Sequence, residues 1–277
     1  EETLATAKIL KGHVIAANVT DNPTAFAYMN ALIPSYFIQK EVGLEAVYQV
    51  TVRDRNRLAI TADLLAAAAL GIKNILALSG DHTTVGDDPR TKPVYDLDST
   101  ALVELVGKMV DEGTDIKGNK IDNPPRFNVG VAGNPNADPL EPEIIKIERK
   151  IKLGADFVQT QAVYDTELAE KFVKEIAPLK VPILVGIAPF KSMGMMDWMV
   201  KHVPGILVPE EIQNRLKLAR EKGGKEAFLK ENIEIFGQLI KNIRKAAPIQ
   251  GIHIMTIGFE WVVPKIIERS QQQTQVW

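Results

Sequence analysis

The sequence has 277 residues, 45% hydrophobic and 25% charged, with 33 basic side chains against 35 acidic ones; that is the balance of an ordinary globular protein and excludes disordered and fibrous classes. A formal charge of −2, a pI near 6.2 and the lack of any Lys/Arg block of five exclude nucleic acid as an expected partner. Cysteine is absent, so the chain supplies neither disulfides nor thiolate ligands, and redox chemistry would need a bound organic cofactor or a partner subunit.

From Glu1 the chain reads at once as a helix. Short β-branched or apolar runs then recur at Val14 to Thr20, Ala46 to Val52, Asn74 to Ser79, Phe127 to Ala132, Asp156 to Val163, Pro182 to Ala188 and Ile252 to Ile257, which predicts seven strands. Helical patterns lie between them. Arg57 to Leu70 is one; Ser99 to Asp111 is another, with Ser99 as expected N-cap and Gly113 beyond its end; Pro142 to Leu153 is a third, closed by Gly154 and carrying Ile144, Ile147 and Ile151 on one face. Pro264 to Ser270 reads as a last helix and 271–277 as a polar tail. The longest apolar run, Leu64 to Ile72, is too short to span a membrane, and no signal peptide precedes it, so the cytoplasm is the expected location.

Alternating strands and helices predict a parallel α/β sheet, and strands such as NILAL and PILVGI imply burial on both faces. Neither GxGxxG nor GxxxxGK[ST] occurs. Polar residues stand after every strand: Thr20-Asp21-Asn22, Arg53-Asp54, Gly80-Asp81, Asn134 with Asp138, Gln161 with Asp165, Lys191, and Glu260. That placement favours a (β/α)8 TIM barrel, which carries its chemistry at the C-terminal ends of its strands, over an open Rossmann sheet. Seven strands leave the barrel one short, so the expectation is one barrel domain over residues 1–277, N-terminally incomplete, with its first strand upstream of Glu1.

Asp81 follows an apolar strand and a glycine, in a long loop from Asp81 to Asp98. Its carboxylate could stabilise a cation; at about 4 Å and an effective dielectric near 20 the attraction is roughly 4 kcal/mol, about a thousandfold in rate. A turn-capping role fits it equally well. Gln159 and Gln161 share strand parity and so face the same way; Gln161, nearer the top, suits a heterocycle with donors and acceptors, while Gln159 suits an internal hydrogen bond. The RDRN cluster at 53–56 fits either a bidentate phosphate or carboxylate site or a salt-bridged helix cap with Asn56 or Asp54 at its head. Arg149, Lys150 and Lys152 also complement a helix dipole, and the cluster Met193, Met195, Met196, Trp198 and Met199 fits helix core or a flat ligand. Four histidines, at 13, 82, 202 and 253, lack metal-site spacing, and no GxSxG elbow occurs, so no metal is expected.

Taken in order, VTDNPTA from Val19, RDRN, LLAAAALGIKNILALSGD ending at Asp81, KPVYDLDS from Lys92, GADFVQTQAVYD ending at Asp165, and GIHIMTIG from Gly251 resemble the methylenetetrahydrofolate reductase family, most closely its bacterial, acetogen-like branch. The resemblance runs through nearly the whole chain. It implies a flavin-containing (β/α)8 barrel reducing 5,10-methylenetetrahydrofolate to 5-methyltetrahydrofolate by hydride transfer. Asp81 then matches the aspartate near the flavin that supports the cationic iminium substrate, and Gln161 the glutamine that reads the pterin. Thr20, Gln49, Ser79, Gly80, Asp81, Tyr95, Asp96, Asn134, Asp138, Glu143, Arg149 and Lys150 fall at or beside flavin positions. Gln49 stands where better-known members carry histidine, Ser79 where they carry arginine and Asn134 where they carry tyrosine, so the flavin is expected as FAD or FMN. Met195 and Phe259 replace a folate-contacting glutamine and an arginine. The family's general-acid glutamate has no counterpart here and is expected upstream of Glu1. NAD(P)H or an iron-sulfur partner subunit is expected as electron donor, within an oligomer or complex. The rivals are a pterin-binding methyltransferase barrel without flavin and a non-catalytic barrel subunit.

Overall fold

The computed structural model describes residues 1–88, 90–203 and 205–272. The seven expected strands are β1 Ala16–Val19, β2 Glu45–Thr51, β3 Asn74–Leu78, β4 Asn128–Gly133, β5 Phe157–Ala162, β6 Ile183–Ile187 and β7 Gly251–Ile254. The helices are α1 Glu2–Leu10, α2 Leu32–Phe37, α3 Arg57–Ala69, α4 Ser99–Gly107, α5 Glu141–Lys152, α6 Thr166–Ile176, α7 Met193–His202, α8 Glu210–Ala246 and α9 Val263–Gln271. Of the tail expected at 271–277, Gln271 closes α9, and 273–277 lie outside the described residues. The strands follow one another in chain order, β1-β2-β3-β4-β5-β6-β7. That is the order of a (β/α) barrel, whereas a doubly wound sheet reverses at a switch point; the fold is α/β of the barrel type. Among the described residues no helix is long and apolar enough to cross a membrane.

By internal packing the chain divides into two compact units, Glu1–Ala132 with Ile145–Val158, and Gly133–Ile144 with Gln159–Trp277. In the first, β1, β2 and β3 run parallel, with Val19 opposite Tyr48 and Gln49 opposite Leu76. Ala46, Tyr48 and Val50 on one face of β2 are fully buried and Val47 and Thr51 on the other nearly so, which covers both faces of the strand. Helix α3 begins where Asn56 Oδ1 accepts the Ala59 N–H at 3.1 Å and buries Ile60, Leu64 and Ala67, the i, i+4, i+7 stripe of a helix laid on a sheet. The N-cap of α4 is Asp98, not Ser99: the Asp98 carboxylate accepts the Ala101 N–H at 2.7 Å, while Ser99 is the first helical residue and is buried. The carboxylate also complements the positive helix end. Gly130 on β4 leaves room for Phe157, since a Cβ there would stand 2.4 Å from the Phe157 ring.

In the second unit β6 and β7 are parallel, with Gly186 opposite His253. Ile183, Val185 and Ile187 are buried, as are Ala169, Phe172, Val173 and Ile176 of α6. Helix α8 is broken at Gly223 and Gly224, and its later part buries Phe228, Ile235, Phe236, Ile240 and Ile243. Tyr164, Phe190 and Phe236 form an aromatic triangle with centroids 5.3 to 5.9 Å apart, and the Tyr164 hydroxyl donates to the Ala188 carbonyl at 3.1 Å. Burial pushes the Tyr164 phenol upward. Of the methionine cluster, Met196 and Met199 are core, Met193 and Met195 are half-buried and Trp198 is exposed, so the stripe serves chiefly as helix core.

Candidate active site

In the first unit the residues after β1, β2 and β3 form one polar network. Asp21 is 6% exposed, and its Oδ2 accepts the Thr51 N–H at 2.8 Å, the Thr51 hydroxyl at 3.0 Å and Arg55 Nη2. Arg55 also donates to Asp63 at 2.7 Å and to the Tyr48 hydroxyl at 3.4 Å; burial pushes that phenol up to about 12. Arg53, 1% exposed, donates through Nε and Nη2 to Asp54 at 2.7 and 2.6 Å, through Nη1 to the Asp81 carbonyl at 3.0 Å and through Nη2 to the Asn22 carbonyl at 3.0 Å. The guanidinium beside Asp54 holds that carboxyl below its usual range. Both arginines are thus turned onto the protein, Asn56 is the cap, and the salt-bridged reading of the RDRN cluster holds over an external phosphate site.

Asp81 stands exposed just past β3, its Oδ2 accepting the Thr24 N–H at 3.0 Å. Gly80 before it has φ +80°, and a Cβ there would lie 3.2 Å from Thr51 Cβ and 3.3 Å from Arg53 Cβ and Nη1; a side chain would meet both backbone strain and Arg53. Ser79 and Thr20 are exposed, and half-buried Gln49 donates to Asn18 Oδ1 at 3.4 Å. Tyr95 is 38% exposed at φ +40° and stacks on His82, with centroids 6.4 Å apart. Asp96 takes the Arg57 N–H at 2.9 Å and its guanidinium at 2.8 and 3.0 Å, which holds the carboxyl down at about 2. Arg149 is exposed, whereas Lys150 is 2% exposed.

In the second unit Asn134 donates its N–H to Glu143 Oε1 at 3.0 Å and accepts from the Asn136 N–H at 3.0 Å. Asn136 Nδ2 donates to the Ala162 carbonyl at 3.1 Å, while its Oδ1 is buried without a partner. Asp138 and Gln161 are exposed; Gln159, on the same parity as Gln161, is 4% exposed with Oε1 unpartnered. Lys191 and Glu260 stand past β6 and β7, with Glu260 accepting the Gly258 N–H at 3.0 Å.

Sequence reasoning missed the Asp21–Arg55–Asp63 chain and Asn136, the latter signalled by the NPNADP turn after β4. It also missed Asn232, whose position four residues from both Phe228 and Phe236 puts an amide in an apolar stripe, donating to the Phe190 carbonyl.

His253 on β7 is partly buried, and that burial pushes its imidazole down to about 4 from an ordinary 6.5. The unfolded chain therefore takes up a proton near pH 6.5 that the folded chain refuses until about pH 4. The stability this contributes is full above pH 6.5 and lost as pH falls through that window, about 2 kcal/mol by pH 5. Urea melts at pH 7.5 and 5 are expected to separate by that amount more for the native chain than for His253→Asn; equal separations would refute the assignment.

The family model for methylenetetrahydrofolate reductase matches residues 4–271. The chain belongs to the methylenetetrahydrofolate reductase family. Among curated members it is 28% identical over 258 residues to methylenetetrahydrofolate reductase 2 of Schizosaccharomyces pombe, covering 87% of this chain and 38% of that protein. It is 24% identical over 232 residues to a probable methylenetetrahydrofolate reductase (NADPH) of Caenorhabditis elegans, covering 82% of this chain and 32% of that one. The chain thus spans about a third of the length of these family members. A protein from Clostridium thermocellum, described as binding two copies of 5-methyl-5,6,7,8-tetrahydrofolic acid, shares the fold with a TM-score of 0.61 at 15% identity, over 98% of this chain and 89% of that one.

Proposed function

We propose that this chain carries the reductase chemistry of its family, converting 5,10-methylenetetrahydrofolate to 5-methyltetrahydrofolate with a bound flavin, FAD or FMN. The observation that carries the reading is the family match across residues 4–271; the folate-binding Clostridium protein of the same fold agrees with it.

The residues present fit a flavin. Thr20, Gln49, Ser79 and Tyr95 offer neutral donors and acceptors of the kind a pyrimidine edge pairs with. Thr20, Gln49, Ser79, Gly80, Tyr95 and Asp96, with Arg149 and Lys150, would hold the cofactor on the first unit. When bound, the flavin supplies the hydride.

The chain's own part is orientation and charge. The exposed Asp81 carboxylate would face the substrate and favour its iminium cation over the closed ring, an electrostatic role that grows as charge develops. The exposed Gln161 amide would read the pterin's mixed donors and acceptors. NADH or NADPH would serve as electron donor, or a partner subunit holding an iron-sulfur cluster, since this chain has no cysteine to ligate one.

The test is the visible spectrum of the purified protein before and after anaerobic addition of 5-methyltetrahydrofolate. A flavin band that bleaches is the expected result. A protein that stays colourless after reconstitution with FAD and FMN overturns the reading and leaves a pterin-binding barrel without flavin, or a non-catalytic subunit.

A further inference from the structure

Asp81 is an exposed carboxylate on a loop, and such a group is useful only if something fixes where it stands. It has two anchors. Its carbonyl accepts from Arg53 Nη1 at 3.0 Å, and its carboxylate accepts from the Thr24 N–H at 3.0 Å. The second anchor is itself unstable in isolation, because Asn22, Thr24 and Ala25 all hold left-handed φ angles of 45°, 54° and 59°, a region that side-chain-bearing residues avoid. That turn is pinned by its Asn22 carbonyl, which accepts from Arg53 Nη2 at 3.0 Å. Asn22 Nδ2 also donates to Asp54 Oδ2 at 3.2 Å, and Asp54 is itself held by Arg53, so both anchors lead back to the Arg53 guanidinium and its paired carboxylate.

We infer that Arg53 is the positioning residue that sets the Asp81 carboxylate for the reaction; this rests on the reading of Asp81 given above. The fork of Arg53 reaches the two loops in divergent directions, which a lysine ammonium on its flexible stem does not reproduce. Asp54 locks the fork from behind with bonds to Nε and Nη2. The same carboxylate cancels the charge of Arg53, which would otherwise oppose a cation in front of Asp81, so Arg53 acts by geometry and not by its field. Its seat exists because Gly80 has no side chain. Its own carbonyl accepts the Val94 N–H at 2.7 Å, which ties the far end of the long loop to the same point.

The experiment uses the full chain loaded with flavin, carrying Arg53→Lys, Asp81→Asn and both. Arg53→Lys is expected to lower kcat for methylenetetrahydrofolate by about 10- to 100-fold, the cost of an ångström-scale misplacement, with flavin content unchanged and KM moving less than about threefold. In the Asp81→Asn background the same change should cost less than about twofold, because the two residues act as a unit. Independently of activity, amide hydrogen exchange should quicken in residues 22–26 and 80–86 and stay level in α4. Additive losses, or an unchanged kcat despite faster exchange, would overturn the inference. If Asp81→Asn alone leaves kcat intact, the reading of Asp81 falls instead, and the exchange data still decide whether Arg53 holds the loops. Should Arg53→Lys fail to fold, Gly80→Ala pushes on Arg53 Cβ and Nη1 without altering charge; read per bound flavin, it is held to the same kinetic and exchange outcomes.

Discussion

Asp81→Asn is expected to lower kcat/KM for methylenetetrahydrofolate by about 10²–10³-fold, with kcat and kcat/KM falling together and flavin content level. The amide is nearly isosteric and still accepts the Thr24 N–H through its oxygen, so the loop keeps its anchor and only the charge goes. Two charges about 4 Å apart at an effective dielectric near 20 attract by roughly 4 kcal/mol, or about a thousandfold. The side chain is exposed, and solvent screening sets the lower end of the range. Stopped-flow reoxidation of the reduced protein by methylenetetrahydrofolate isolates the step: it should slow, while reduction by the electron donor keeps its rate. Unchanged reoxidation would remove Asp81 from the chemistry.

Asp21→Ala carries the largest expected cost in stability. The carboxylate is buried, and its loss would strand the Thr51 N–H, the Thr51 hydroxyl and one end of Arg55, whose side chain is only 15% exposed. Breaking one partner of a buried ion pair costs about 3–5 kcal/mol. Arg55 keeps its bond to Asp63, which places the expectation near the low end, about 3 kcal/mol, or roughly 6–12 °C in Tm. Asp21→Asn keeps an acceptor and should cost about half as much. Urea unfolding followed by circular dichroism decides it; a loss under about 1 kcal/mol for Asp21→Ala would mean that water replaces the carboxylate and the network is not a closed one.

Local signals carried the elements. Runs such as NILAL and ADFVQTQ are short, apolar and bounded by turn residues, and each became a strand; Asn56 and Gly113 marked a helix start and a helix end. The Ser99 cap failed because Asp98 and Ser99 are both good cap residues one position apart, and the choice rests on which side chain turns back to the Ala101 N–H. The polar ends of the strands were legible as a set, but their partners were not. Asp21 and Arg55 lie 34 residues apart and meet only because β1 pairs with β2; nothing in RDRN says that Arg53 and Arg55 face inward to different carboxylates. Asn136 and Asn232 were invisible for the same reason, since an amide reads as a surface residue until its neighbours surround it.

Among the described residues two π-helical turns bear on how the chain tolerates change of length. Ile38–Val42 extends α2 and Lys108–Glu112 extends α4, and each ends on a glycine with φ +66°, Gly43 and Gly113. A π turn closes its bonds from i to i+5, one residue more than an α turn. Removing a single residue from either turn would rewind it to α pitch and leave the strands before and after it in register. The same deletion inside β2 or β3 would send every later side chain of the strand to the opposite face, exchanging Tyr48 for Gln49 in the core. Insertions and deletions among relatives are therefore expected to collect at these two helix ends, which act as expansion joints between strands that must keep their count.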